Sequence, residues 1–246
     1  GLESRGLGDV YKRQGLIDWN FSIFDEGFFT LPEDGRIYRD WKEGGHGNTN
    51  LFKAITQSSN TYFFDLAYRS DINQLKKHLS SLGFGDKACI DCFEEDQVFV
   101  PEPSWKMNKH NFGWFKGDTV NMGVGQGYLV STPIQLAKYA YIIANKGKFF
   151  DLSLKKDLVK NKKSIEFNKF SNDDWLKLHE SMVNVIEGNT GTARRLREKK
   201  NYIVAAKTGT AELVSGDNRE QYSETRLDDS LRAVSYTHLT LPTSSW

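Results

Sequence analysis

Three observations predict an α+β fold for this chain. Helical periodicity dominates the middle of the sequence, aromatic and turn-rich segments open it, and a compact β-prone run, Tyr202-Ile203-Val204-Ala205-Ala206, comes near its end. With 246 residues, 38% hydrophobic and 26% charged, the chain has the composition of one large globular domain or most of one.

Each element follows from local pattern. Between Gly15 and about Gly47, the residues Phe21, Phe24, Phe28, Phe29, Tyr38 and Trp41 are spread among Asp, Glu and Gly, which favours short strands and turns over a long helix. Asn50 to Tyr68 reads as helix in two pieces, with Leu51, Ala54 and Ile55 on one face and Phe63, Phe64, Leu66 and Ala67 on the next. The break falls at Gln57-Ser58-Ser59-Asn60, whose short polar side chains prefer caps and turns. Asp71 is placed to cap a helix that runs through Leu82 and stops at Gly83.

From Phe84 to Met122 the chain reads as loop-rich, with Pro101, Pro103 and several aromatics. Ser131 or Thr132 then caps a helix with Pro133 in its first turn, an apolar face of Ile134, Ala137, Tyr141 and Ala144, and a stop at Gly147. A third clear helix starts at Ser171, where Asp173 and Asp174 favour the positive end of the helix dipole, and runs through Trp175, Leu178, Met182 and Val185 to Gly188.

Bulk properties exclude several classes. A formal net charge of +1 gives no footprint for nucleic acid. No apolar run approaches the roughly 20 residues of a membrane helix, and the stretch from Tyr139 to Ala144 is far too short. Cys89 and Cys92 form a Cys-x-x-Cys without a second pair or a thioredoxin-like context, and are read as two incidental thiols. The stretches Gly6 to Gln14 and Val234 to Ser244 resemble translated sequencing-adaptor read-through, so residues 1–14 and 234–246 are set aside as non-native.

Two short motifs stand out by their placement. Ser58-Ser59-Asn60 sits at a helix break, and Lys207-Thr208-Gly209-Thr210 ends the β-prone run. Each tripeptide alone is a common accident, but this order and spacing make the Ser-x-Asn and Lys-Thr-Gly pattern of penicillin-recognising serine enzymes. Elsewhere the bland readings are preferred. Gly123, Gly125 and Gly127 lack the flanking strand and helix of a phosphate loop, Trp114 and Phe115 read as core, and the basic run around Lys199 and Lys200 as solvated surface.

The likeness extends well beyond two motifs. Tyr38-Arg39-Asp40-Trp41-Lys42 with Gly45-His46-Gly47, Ser58-Ser59-Asn60-Thr61-Tyr62-Phe63, Gly117-Asp118-Thr119 with Gly123-Val124-Gly125-Gln126-Gly127-Tyr128, and Thr132-Pro133-Ile134-Gln135 are followed by Gly191-Thr192-Ala193 and Ala205-Ala206-Lys207-Thr208-Gly209-Thr210-Ala211. In that order, over about Gly15 to Arg232, they resemble successive blocks of the penicillin-binding protein 2 family, which are class B penicillin-binding proteins.

The resemblance implies a β-lactamase/transpeptidase-like fold, an antiparallel sheet with helices on both sides, here incomplete at both ends, with residues 15–233 as a partial transpeptidase domain. It implies a serine D,D-transpeptidase that cross-links peptidoglycan stem peptides ending in D-Ala-D-Ala and is acylated by β-lactams. The enzyme would work in the periplasm behind an inner-membrane anchor, beside a membrane glycosyltransferase of the elongation machinery.

Residue by residue, Ser58 would relay a proton, Asn60 would bind the substrate amide, and Lys207 would hold the relay serine and draw the terminal carboxylate. The Thr208 hydroxyl would bind that carboxylate, Gly209 would admit the substrate backbone, and the Thr210 N–H would donate to the oxyanion. No cofactor is needed for this chemistry. A structural zinc is implied at Asp25, Asp40 and His46, with Ser59 where some relatives carry Cys.

The nucleophile of a Ser-x-x-Lys is expected near position 5, where the chain reads Ser4-Arg5-Gly6-Leu7, so this chain is expected to lack it and to be inactive. Two rivals remain open: a β-lactam-sensing or scaffolding domain, and a β-lactamase or D,D-carboxypeptidase on the same scaffold.

Overall fold

The computed structural model describes residues 17–96, 98–155, 162–164, 170–197, 202–212 and 232–241; of 162–164, 210–212 and 232–241 it describes the backbone alone. The expected Ser-x-x-Lys position near residue 5 lies outside the described residues.

The aromatic opening forms short antiparallel pairs, as its pattern predicts. Strand β1 (Ser22–Asp25) pairs with β4 (Gly47–Asn50), and β2 (Phe28–Thr30) pairs with β3 (Ile37–Arg39). Helices α1 (Leu51–Gln57) and α2 (Asn60–Arg69) follow, split at the expected break. Asp71 caps α3 (Ile72–Ser81), and Gly83 takes φ +89° just beyond it, a conformation glycine enters without a Cβ penalty.

The stretch from Phe84 to Met122 departs from expectation, for it contains helices α4 (Pro103–His110) and α5 (Lys116–Met122). Their apolar periodicity is too weak to announce them, since α4 buries only Lys106. Tertiary electrostatics hold the pair instead. The Asp118 carboxylate accepts the Phe115 N–H at 2.8 Å and the Lys106 ammonium at 2.6 Å, tying the start of α5 to α4.

The cysteine reading is also corrected: Cys89 and Cys92 form a disulfide, the turn between them bringing their Cα atoms to 5.4 Å, within bridging range. Asp91, inside that turn, accepts hydrogen bonds from Ser153 Oγ and the backbone N–H groups of Leu154 and Lys155.

Thr132 caps α6 (Pro133–Ala144) in a reciprocal pair with Gln135, and Ser171 caps α7 (Asn172–Glu187) in another with Asp174. Strands β5 (Lys148–Phe150) and β6 (Lys162–Ser164) pair between these two helices. The β-prone run becomes β7 (Ile203–Glu212), which pairs antiparallel with β8 (Arg232–Leu241), Lys207 opposite Thr237. Most of β8 lies in the closing segment set aside above. Its β-branched and aromatic residues Val234, Tyr236, Thr237 and Thr240 suit a ladder, and β7 presents an edge that needs partners.

Helix α7 organises the core. Its buried face packs against α1 and β7: Trp175, Leu178 and Met182 join a large cluster that includes Leu51, Ile55, Tyr62, Phe63, Leu75, Leu79 and Tyr139, and Val185 joins a smaller one with Val204 and Ala206. Directional bonds fix its place: Thr56 Oγ1 donates to Ser181 O at 3.1 Å, Trp19 Nε1 donates to Asp174 at 2.8 Å, and His179 Nε2 lies 2.9 Å from Ile143 O. Among the described residues no helix is long and apolar enough to cross a membrane. Replacing Leu178 by Ala should cost about 2–5 kcal/mol in chemical denaturation, whereas Leu176→Ala on the exposed face of the same helix should cost under about 0.5 kcal/mol.

Candidate functional site

The site begins with a corner in the backbone. Helix α1 ends at Ser58, a non-glycine residue at φ +57°, ψ +42°, and α2 starts two residues later with Ser59 as its N-cap. A serine in the left-handed region costs about 1–2 kcal/mol relative to ordinary backbone, so its surroundings must hold it there. Ser59 is fully buried and doubly used: its Oγ accepts from Tyr62 N at 3.2 Å and donates to Asp25 Oδ2 at 2.6 Å. Asp40 supplies a second cap, its Oδ2 accepting from Thr61 N at 2.9 Å and Thr61 Oγ1 at 3.2 Å. Asn60 opens α2 half-buried beside these groups.

Strand β7 brings the second half. Lys207 is 1% exposed and its ammonium donates to Ser58 Oγ and, at 3.0 Å, to Thr208 O. The two residues are 149 positions apart in sequence, and the bridge between them is α7, which touches α1 on one side and β7 on the other. Thr208 and Gly209 follow half-buried, and Thr208 Oγ1 lies 2.9 Å from Thr192 Oγ1. For Thr210 the backbone alone is described, in register with Val234. Among the described residues β7 pairs only with β8, leaving its other edge without a strand.

A third group lies behind the corner. His46 Nδ1 is 2.7 Å from Asp25 Oδ2 and 3.9 Å from Asp40 Oδ2, and all three side chains are buried. Burial pushes the Asp25 carboxyl up, but hydrogen bonds from His46, Ser59 and Gly27 outweigh it and bring the pKa down to about 2. Asp40 moves the other way: burial raises it, amides of Thr61 and Lys42 oppose, and the neighbouring Asp25 charge adds to the rise.

One ligand atom from each of Asp25, Asp40 and His46 falls within 4.8 Å of the others, a donor set of the kind a divalent cation accepts. His46 Nε2 is buried without a hydrogen-bond partner, so Nδ1 is the ring nitrogen that meets the carboxylates. Beside them Ser59 presents a neutral hydroxyl, donated to Asp25 Oδ2, rather than a soft thiolate.

The structure thus gathers Ser58 and Lys207 at one point, Asn60 and Thr208 beside them, and Asp25, Asp40 and His46 behind. Thr192 and Thr61 also bond directly to these residues, though their types alone did not mark them. Both fall in the quoted sequence blocks, Gly191-Thr192-Ala193 and Ser58 to Phe63.

Known proteins resemble this chain in sequence and in fold. The sequence profile described as Penicillin binding protein transpeptidase domain matches residues 13–240, which takes in part of each segment set aside at the ends. The Peptidoglycan D,D-transpeptidase MrdA of Acinetobacter baumannii is 38% identical over 224 residues, 87% of this chain and 33% of that protein. The crystal structure of Pseudomonas aeruginosa PBP2 in complex with WCK 5153 superposes with a TM-score of 0.79 at 32% identity, covering 85% of this chain and 49% of that one. PBP2 from Helicobacter pylori, in its complex with MreC, superposes at 0.78 with 31% identity, covering 86% and 39%. The chain spans about a third of the length of the curated relatives it matches.

The corner supports a direct test. Ser59→Ala deletes both an N-cap and the donor to a buried carboxylate, and should lower unfolding stability by about 1–3 kcal/mol in urea titration.

Proposed function

The chain belongs to the penicillin-binding protein transpeptidase domain family, and from that membership we propose that it forms most of the cleft of a peptidoglycan D,D-transpeptidase that penicillins acylate. The observation that carries this reading is the contact of the Lys207 ammonium with the Ser58 hydroxyl at a strand that, among the described residues, is paired along one edge only.

Acyl transfer from a D-Ala-D-Ala stem peptide needs a nucleophile, a proton relay, a cation for the terminal carboxylate and donors for the oxyanion. Ser58 is placed to pass a proton to the leaving amine, because its Oγ already accepts from Lys207 and can rotate its own proton outward. Lys207, almost fully buried, gives that oxygen a fixed positive neighbour and adds attraction for the carboxylate. Thr208, oriented by Thr192, offers a hydroxyl to the same carboxylate.

Gly209 leaves room for the peptide to pair with the open edge of β7 as an added strand, and the Thr210 N–H serves as an oxyanion donor. Asn60, at the first turn of α2, binds the substrate amide. The attacking serine comes from a Ser-x-x-Lys of the whole protein, a motif absent from the Ser4-Arg5-Gly6-Leu7 stretch.

Asp25, Asp40 and His46 would hold a structural zinc, which would fix the loop behind Ser58 and take no part in acyl transfer. The whole protein would work in the periplasm behind an inner-membrane anchor, beside a membrane glycosyltransferase. The MreC complex of the Helicobacter pylori relative supports assembly into a larger wall-building machine.

Two measurements test this. In the full-length protein carrying its Ser-x-x-Lys, a fluorescent penicillin should form a covalent adduct that lasts hours, and Lys207→Ala should slow its formation by at least ~100-fold. An unlabelled wild type removes the reading, and turnover within seconds would point to a β-lactamase or carboxypeptidase. Elemental analysis of the same protein should find about one equivalent of zinc, rising in affinity with Ser59→Cys; less than roughly a tenth of an equivalent removes the metal.

A further inference from the structure

Ser58 is held by more than its own helix. Helix α1 is only seven residues long and has no basic residue in its last turn, so its final carbonyls need donors from elsewhere. Trp41 supplies one. Its indole Nε1 donates to Ser58 O at 3.0 Å and to Gln57 O at 3.2 Å. The ring is 46% exposed, so burial of its apolar surface does not account for its place.

The turn that carries Trp41 is itself fixed. The indole meets the His46 ring edge-on, with centroids 5.6 Å apart and planes at 61°. Gly45, at φ +70°, lies so close to β1 that a Cβ there would come 2.1 Å from Asp25 O. Lys53 reaches back from α1 to the carbonyls of His46 and Asn48. Asp40, the residue before Trp41, caps α2 through Thr61. Two adjacent residues of one turn therefore grip the corner from opposite sides, Trp41 at the carbonyl end of α1 and Asp40 at the amide end of α2.

We propose that Trp41 is a positioning residue for the relay hydroxyl: its indole N–H fixes the carbonyl of Ser58, and with it the left-handed backbone that aims Oγ at the Lys207 ammonium. This rests on Ser58 acting as the proton relay. Without the indole N–H, Ser58 O turns to water, the corner relaxes toward commoner angles, and the hydroxyl spends less time against Lys207.

The test removes the hydrogen and keeps the ring. In the full-length protein, Trp41 is replaced with β-(3-benzothienyl)alanine, which has sulfur in place of the N–H, and with 5-fluorotryptophan, which retains it. Acylation by fluorescent penicillin should slow by about three- to tenfold in the benzothienyl protein, with an altered pH profile and an unchanged thermal midpoint. The fluorotryptophan protein should match wild type, and Trp41→Phe should resemble the benzothienyl protein.

A benzothienyl protein with wild-type rate and pH profile overturns the proposal. So does a loss of rate that only tracks a loss of folded protein. If the wild type itself is not acylated, the transpeptidase reading fails and this inference falls with it; a labelled wild type with an indifferent Trp41 sinks this inference alone.

Discussion

The structure of the site depends on one backbone corner, Ser58 at positive φ between two helices. Glycine would enter this conformation freely but would bring no hydroxyl. Serine must be held there, and the surroundings supply the restraint: Trp41 at its carbonyl, Ser59 and Asp40 at the amides of Tyr62 and Thr61, and Lys207 at its side chain. Each net hydrogen bond contributes about 1 kcal/mol, so a few together offset the cost of the angle. The corner explains why the opening hairpins matter. They lie far from β7 in sequence, yet they deliver Asp25, Asp40 and Trp41 to one turn of chain.

The second requirement is a buried cation. An ammonium removed from water is tolerated only with partners, and Lys207 has the Ser58 hydroxyl and the Thr208 carbonyl. Helix α7 makes this arrangement possible. Thr56 bonds to Ser181 one residue before α1 ends, and Val185 and Ile186 pack beside Val204 and Ala206. The distance from Ser58 to Lys207 is therefore set by side-chain packing on two faces of one helix. Close-packed interiors transmit such placement faithfully, because displacing one layer forces its neighbours to move.

Much of this was legible in the sequence. The helix break at Gln57 to Asn60, the caps at Asp71, Thr132 and Ser171, and the strand before Lys207 all follow from short-range rules. The four short strands were legible only as a turn-rich aromatic zone, since pairs of three or four residues carry almost no periodicity. Helices α4 and α5 were hidden for a different reason. The contact between Lys106 and Asp118 ties the two elements together, and no short window of sequence displays it. The disulfide was missed because Cys-x-x-Cys spacing permits a bridge without requiring one. In the candidate site, motif spacing singled out Ser58 and Lys207, which the fold brings into contact, whereas Trp41 and Thr192 join through bonds that only the folded chain creates.

Ser59 shows how several supports of the corner meet in one side chain. Its hydroxyl gives a proton to Asp25 while accepting the Tyr62 amide, so the negative charge of Asp25, the ring of His46 and the start of α2 are linked through a single oxygen. A thiol at this position would be a weaker hydrogen-bond donor and cap but a far better zinc ligand. With serine, the hydrogen bonds already join these groups, and a cation would strengthen a frame rather than create one. Asp40 sits at the point where that difference would be felt. Its carboxyl is raised by burial and by the Asp25 charge while it caps α2 through Thr61, so a nearby cation would ease both burdens and tighten the same corner that holds the Ser58 hydroxyl.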